Sequence, residues 1–187
     1  EVITDKAKTE NGLFKVHRLD GKYFYVIPDS LFDREMLVVT RYAKTPTIDG
    51  TYGGEELNEQ IWKWQKRDKQ VMIRIPSYRN IADKKTEMFE AVKNSNLDAV
   101  LSSFDIKAIN KDSSSVVIDV TDLYAKDVQS LSLPQSLRTQ YKITMMDETR
   151  TFIDTIKSFP INIEVRSLKT YRATDPPGDK SIGSMTV

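Results

Sequence analysis

The sequence contains no cysteine and a single histidine, His17, among 187 residues. The first absence excludes disulfides, thiolate zinc sites and cysteine nucleophiles. The second excludes an HExxH helix, which needs two histidines, and forces any Ser–His–Asp triad to use His17. Charge of one sign is also missing. The 28 basic and 27 acidic residues leave a net charge of +1, which supplies no electrostatic reason to expect nucleic acid or an anionic membrane. No apolar run approaches the roughly 18 residues needed to span a bilayer, and no signal-peptide pattern opens the chain. For an exported protein, the chain is expected to begin after that signal. What is present suits a folded domain. Hydrophobic residues make up 39% and charged residues 29%, enough to build a core in one domain with a small annex.

The clearest local signal is Asp20-Gly21 between two β-rich runs, the preferred loop of a type I′ hairpin. That loop sets Arg18 opposite Tyr23, Val16 opposite Tyr25 and Phe14 opposite Ile27 on one mostly apolar face. His17 opposite Phe24 and Lys15 opposite Val26 make the other face. Glu35 to Tyr42 reads as a third strand with apolar residues on both faces, hence a central one. Thr45 to Glu56, broken by Pro46, Gly50, Gly53 and Gly54, reads as a loop. Glu59 to Lys66 and Val71 to Ile75 form a second hairpin around Arg67-Asp68-Lys69. Val100 to Ile109 and Ser115 to Thr121 form a third across Asn110 to Ser114, with Val116, Ile118 and Val120 inward. Arg150 to Lys157 and Ile161 to Arg172 make a last pair turning at Ser158-Phe159-Pro160.

Helical signals are short. Lys84 to Asn94 carries Asp83 as a candidate N-cap, with Met88, Ala91 and Val92 on its inner side. Asp122 to Lys126 and Pro134 to Gln140 read as further short helices. The pattern is that of a mainly β (α+β) chain: an antiparallel β-sandwich or strongly curved sheet with two or three short helices. Residues 1–174 are expected to form a single domain. Asp175-Pro176-Pro177-Gly178 reads as a linker, and 181–187 as the start of a strand leading to a further domain.

Candidate chemistry is sparse. His17 beside a turn on the mixed face reads as a half-solvated strand residue. Tyr52-Gly53-Gly54-Glu55 lacks both phosphate-loop patterns. Asp105, Asp119 and Asp122 invite a glycosidase pair or calcium site, but without the spacing of either. No catalytic, cofactor-binding or metal-ligating set is assigned. The aromatic pairs Trp62 and Trp64, and Tyr23 and Tyr25, each share one strand face. Exposed, they would form a binding surface for sugar rings or peptide side chains; the polar Lys63 and Gln65 opposite favour burial of the Trp face.

Four stretches carry a resemblance: Gly12 to Arg41 (GLFKVHRLDGKYFYVIPDSLFDREMLVVTR), Tyr52 to Trp64 (YGGEELNEQIWKW), Ala91 to Leu123 (AVKNSNLDAVLSSFDIKAINKDSSSVVIDVTDL) and Phe159 to Tyr171 (FPINIEVRSLKTY). Together they resemble the N-terminal domain of a family of bacterial zinc-dependent metalloproteases. The resemblance implies a multidomain polypeptide, exported from Gram-negative cells and periplasmic, secreted or anchored at the outer membrane. Its metzincin-like catalytic domain, with the HExxH motif and the zinc, would follow Val187. It therefore implies no catalytic or zinc-binding residue in this chain. The expectation is a non-catalytic scaffold domain whose partner is that downstream domain. The alternatives are an independent glycan- or peptide-binding module and, least supported, a free-standing hydrolase.

Overall fold

The structure is a computed structural model describing residues 2–48 and 50–187. Glu1, at the start of the expected domain, and Asp49, within the expected Thr45 to Glu56 loop, lie outside the described residues. The chain is mainly β. In order, the first strands are β1 (Lys8–Glu10), β2 (Lys15–Leu19), β3 (Lys22–Pro28) and β4 (Glu35–Arg41). Then come β5 (Glu56–Arg67), β6 (Gln70–Ile75), helix α1 (Met88–Ser95), β7 (Ala99–Ile109) and β8 (Ser115–Asp119). Helices α2 (Thr121–Ala125) and α3 (Gln135–Gln140) precede β9 (Ile143–Met146). The last strands are β10 (Phe152–Ser158), β11 (Ile163–Leu168), β12 (Thr170–Ala173) and β13 (Ser184–Thr186).

Eight of these strands form one strongly curled antiparallel sheet in the order β1-β2-β3-β8-β7-β6-β5-β4. The β2–β3 register is the expected one, from Leu19↔Lys22 to Lys15↔Val26. Asp20 and Gly21 both adopt positive φ, 49° and 79°, as a type I′ loop requires. The β5–β6 turn is tighter than expected, because Arg67 pairs directly with Gln70. The alternation on β8 also holds, with Val116, Ile118 and the following Val120 fully buried.

Four expectations are corrected. The strand placed centrally, β4, lies at the sheet edge. Its inward residues Met36 and Val38 pack on the core, but Leu37 is 64% exposed. The helix expected from Lys84 begins at Met88. Asp83 instead accepts from the Lys85 amide in a preceding turn, and Phe89 and Val92 are the half-buried residues, with Met88 and Ala91 exposed. The last expected strand, Ile161 to Arg172, is split. β11 ends at Leu168, and after Lys169 β12 joins a separate sheet ordered β13-β12-β9. Finally, the strand expected to lead away after the Pro-Pro linker turns back. β13 pairs with β12 through Tyr171↔Met185, and Met185 is buried. Bringing an apolar Met185 onto Tyr171 is the reason this segment returns.

The main core fills the concave side of the curled sheet. Phe14 packs edge-on against Tyr25 and Trp64 at 5.4 and 5.8 Å between centroids, and Trp64 lies 5.9 Å from Phe104. A smaller core gathers Tyr42, Ile48, Leu133, Met146, Tyr171 and Met185 around the three-stranded sheet. The β10–β11 hairpin is pinned near the start of β2. The Leu13 amide donates to the Phe159 carbonyl at 2.7 Å, and the Ser158 hydroxyl donates to the Phe14 carbonyl at 2.6 Å. Gly12 makes this possible, since a Cβ there would lie 2.5 Å from the Phe159 oxygen. Fastened at that end, the hairpin leaves β11 facing β4 across an open seam.

Candidate functional site

This seam is a cleft of about 800 Å³. One wall is β4 with its flanks, residues 34–44, and the other is β11 with its flanks. Both odd and even positions of each strand line it. A strand that turned a face to the cleft would contribute alternate residues only. Contribution from both parities fits strands that reach the cleft along an unpaired edge. β4 is hydrogen-bonded only to β5, and β11 only to β10, among the described residues.

Along the rim stand exposed apolar side chains: Leu37 and Val39 from β4, Phe152 from β10, and Ile161 and Leu168 from the β11 side. Five such residues around one opening form a patch of the kind that marks interaction sites. Charge on the lining is mostly positive. Arg34, Lys44 and Arg166 are exposed and have no ion-pair partner among the described residues, against one such carboxylate, Asp154. Arg41 is paired to Glu56 at 3.2 Å and Glu35 to Lys63 at 3.8 Å.

One end of the cleft carries buried polar groups. Lys169 donates to the Lys126 carbonyl at 3.0 Å and to the Ser132 hydroxyl at 3.2 Å. Burial lowers its pKa to about 8, with the Arg138 charge acting in the same direction and Asp127 against it. Arg138 is held by Asp127 in a two-pronged pair and lies over the Tyr171 ring, 5.3 Å from its centroid. The Tyr42 hydroxyl is buried without a hydrogen-bond partner among the described residues, and burial, reinforced by Glu55, pushes its pKa up to about 12. Nothing local in Ser167-Leu168-Lys169-Thr170-Tyr171 distinguishes this lysine from a solvated one. Its partners lie 43 and 37 residues away in the chain.

The aromatic residues singled out in the sequence do not form an exposed strip. Trp62, Trp64, Tyr23 and Tyr25 are 2%, 3%, 4% and 1% exposed. Their face turns to the concave side, where the curled sheet closes over it. Trp62, Trp64 and Tyr25 underlie the floor of the cleft; Tyr23 does not reach it.

The other candidates are accounted for locally. His17 pairs with Thr9 Oγ1 through Nδ1 at 2.8 Å, and its pKa is lowered by partial burial and then by Lys15. Asp105, Asp119 and Asp122 border one shallow depression. Each is ion-paired, to Lys107, Lys22 and Lys126 respectively. No group of three or more His, Cys, Asp or Glu side chains able to hold a metal occurs among the described residues. Tyr52-Gly53-Gly54-Glu55 is a turn closed by the Glu55 amide on the Tyr52 carbonyl at 3.3 Å, and its Gly54 amide donates to the Tyr42 carbonyl at 2.6 Å. No helix is long and apolar enough to cross a membrane among the described residues.

Comparison with known proteins returns two family models. Residues 1–45 match the domain of unknown function DUF5118, and residues 54–187 match the domain of unknown function DUF5117. No curated protein and no solved structure matches. The two matched stretches meet between β4 and β5, which are hydrogen-bonded to each other, and β3 of the first pairs with β8 of the second. They therefore share one sheet and one core. With the longer match spanning more than two thirds of its length, the chain belongs to the DUF5117 family, carrying a DUF5118 region as the first strands of the same sheet.

Proposed function

We propose that this chain is a non-catalytic docking domain. Its cleft holds another part of a larger polypeptide, which the resemblance described above identifies as the catalytic domain of an exported zinc-dependent metallopeptidase. The observation that carries this reading is the apolar rim of Leu37, Val39, Phe152, Ile161 and Leu168 around the seam between β4 and β11. Exposed apolar side chains gathered at one opening lose water-contact area when a protein surface covers them, at about 25 cal/mol per Å². The pairing of the lone histidine and of each singled-out acid supports the non-catalytic part. A second reading, an independent peptide-binding module, draws on the same cleft. A glycan is disfavoured, because the aromatic rings that would stack on sugars are buried.

Amide hydrogen exchange separates these readings. The isolated chain is compared with the full-length polypeptide, at equal pH and temperature. Docking within one polypeptide requires slower exchange of residues 34–44 and 161–169 in the longer protein. Equal exchange in both forms would remove that reading and leave the independent module.

A further inference from the structure

We propose that the cleft receives an extended, acidic peptide strand, which hydrogen-bonds to β4 on one side and β11 on the other and closes the curled sheet. This rests on the cleft being a docking surface and specifies how docking is achieved.

The two ends of the eight-stranded sheet are treated differently. At one end β1 is three residues long, Lys8-Thr9-Glu10, and all three are exposed. Short, charged strands of this kind protect a sheet against unwanted pairing. At the other end β4 is seven residues long, with an apolar centre Met36-Leu37-Val38-Val39 and charges only at its termini. It has no proline and no inward charge. A seven-residue strand offers a pairing edge roughly 23 Å long. An unprotected edge of that length in a folded protein is a site for strand addition.

The opposite wall makes the occupant more specific. β11 presents a second unpaired edge to the same cleft. A helix or loop laid in the seam would satisfy neither row of backbone donors and acceptors. A strand between them satisfies both. The pinned β10–β11 hairpin would then continue the sheet beyond β4 through the added strand.

Charge selects the strand's composition. Arg34, Lys44 and Arg166, without ion-pair partners among the described residues, outnumber Asp154 along the walls, and the buried Lys169 lies at the cleft end. An occupant with Asp or Glu near its ends and apolar residues between them matches both the basic walls and the aromatic floor.

The test is a phage-displayed library of random peptides selected on the isolated chain. The enriched sequences should alternate apolar and polar residues, carry Asp or Glu, and exclude proline from the centre. A synthetic copy of one should slow amide exchange in both 36–40 and 163–168. N-methylation of its central amides should abolish binding, and Arg34→Glu combined with Arg166→Glu should weaken it by about tenfold or more at low salt. Sequences without acidic residues, protection confined to one wall, or tolerance of N-methylation would each overturn the strand. So would a failure to enrich any sequence, or a concentration-dependent dimer protecting β4 without peptide, which would assign the edge to a second copy. Rim protection in the full-length polypeptide combined with any of these failures keeps the docking reading and removes only the strand.

Discussion

At the scale of single residues, the most informative side chain is Lys169. Its ammonium is buried, with a pKa lowered from 10.5 to about 8 by loss of hydration. Below pH 8 the lysine is charged in both the folded and unfolded states, and the folded state bears the desolvation cost. Between pH 8 and 10 the folded chain binds fewer protons than the unfolded one, so stability rises with pH, by roughly 3 kcal/mol at most. Above pH 10 buried Tyr42 and half-buried Tyr124 act in the opposite sense. Their pKa values are pushed up to about 12, so unfolded tyrosines ionise first and stability falls. Urea unfolding across this range should therefore show a maximum near pH 10, and Lys169→Met should flatten the rise. A wild-type profile without that rise would mean that the lysine is not desolvated. Such a residue is invisible in sequence because its environment is assembled from α2, the segment after it and β11. The tryptophans were more legible, since a polar opposite face on the same strand marks which side turns inward.

At the scale of elements, hairpins were legible and strand neighbours at long range were not. Asp20-Gly21 specifies its own register, because only residues tolerant of positive φ make the I′ loop. Gly21 has φ of 79° with no atom within 4 Å of a hypothetical Cβ. Gly21→Val should therefore cost about 1 kcal/mol or more through backbone strain alone, without a clash. A shift of the urea midpoint to lower concentration with unchanged slope is the expected result; an unchanged midpoint would refute the positive-φ assignment. β4 shows the converse. Apolar residues on both faces suggested a strand flanked on both sides. One set does face the core, while the other, Leu37 and Val39, stands at the cleft rim. Alternation within one strand reports burial on its two faces but says nothing about whether its two edges are paired.

At the scale of the whole molecule, the boundary between the two family matches does not coincide with a boundary in the fold. Residues 1–45 supply Phe14, Val16, Tyr25 and Ile27 to the main core, while 54–187 supply Trp62, Trp64, Ile73, Val116 and Ile118. Expressed alone, residues 54–187 would expose the edges of β5 and β8 and lose one side of their aromatic cluster. We expect that piece to lack the near-ultraviolet signature of a packed core and to regain it on addition of residues 1–45. A dispersed nuclear magnetic resonance spectrum from 54–187 by itself would show two independent folding units. The fold class was legible because short alternating runs and turn residues recur along the chain. The cleft was not, because its walls come from segments separated by more than 100 residues and are brought together by the Gly12 contact.

The pairing of β3 with β8 also imposes a timetable on synthesis. Phe24 finds its partner Asp119 only after about 90 further residues have left the ribosome, which takes roughly 5–20 s at ordinary elongation rates. During that interval Tyr25 and Ile27 lack Ile118 and Val116, the residues they face across the β3–β8 pair. The nascent chain thus emerges with an adhesive ribbon at its leading end and completes its fold late, when β8 slots in beside it.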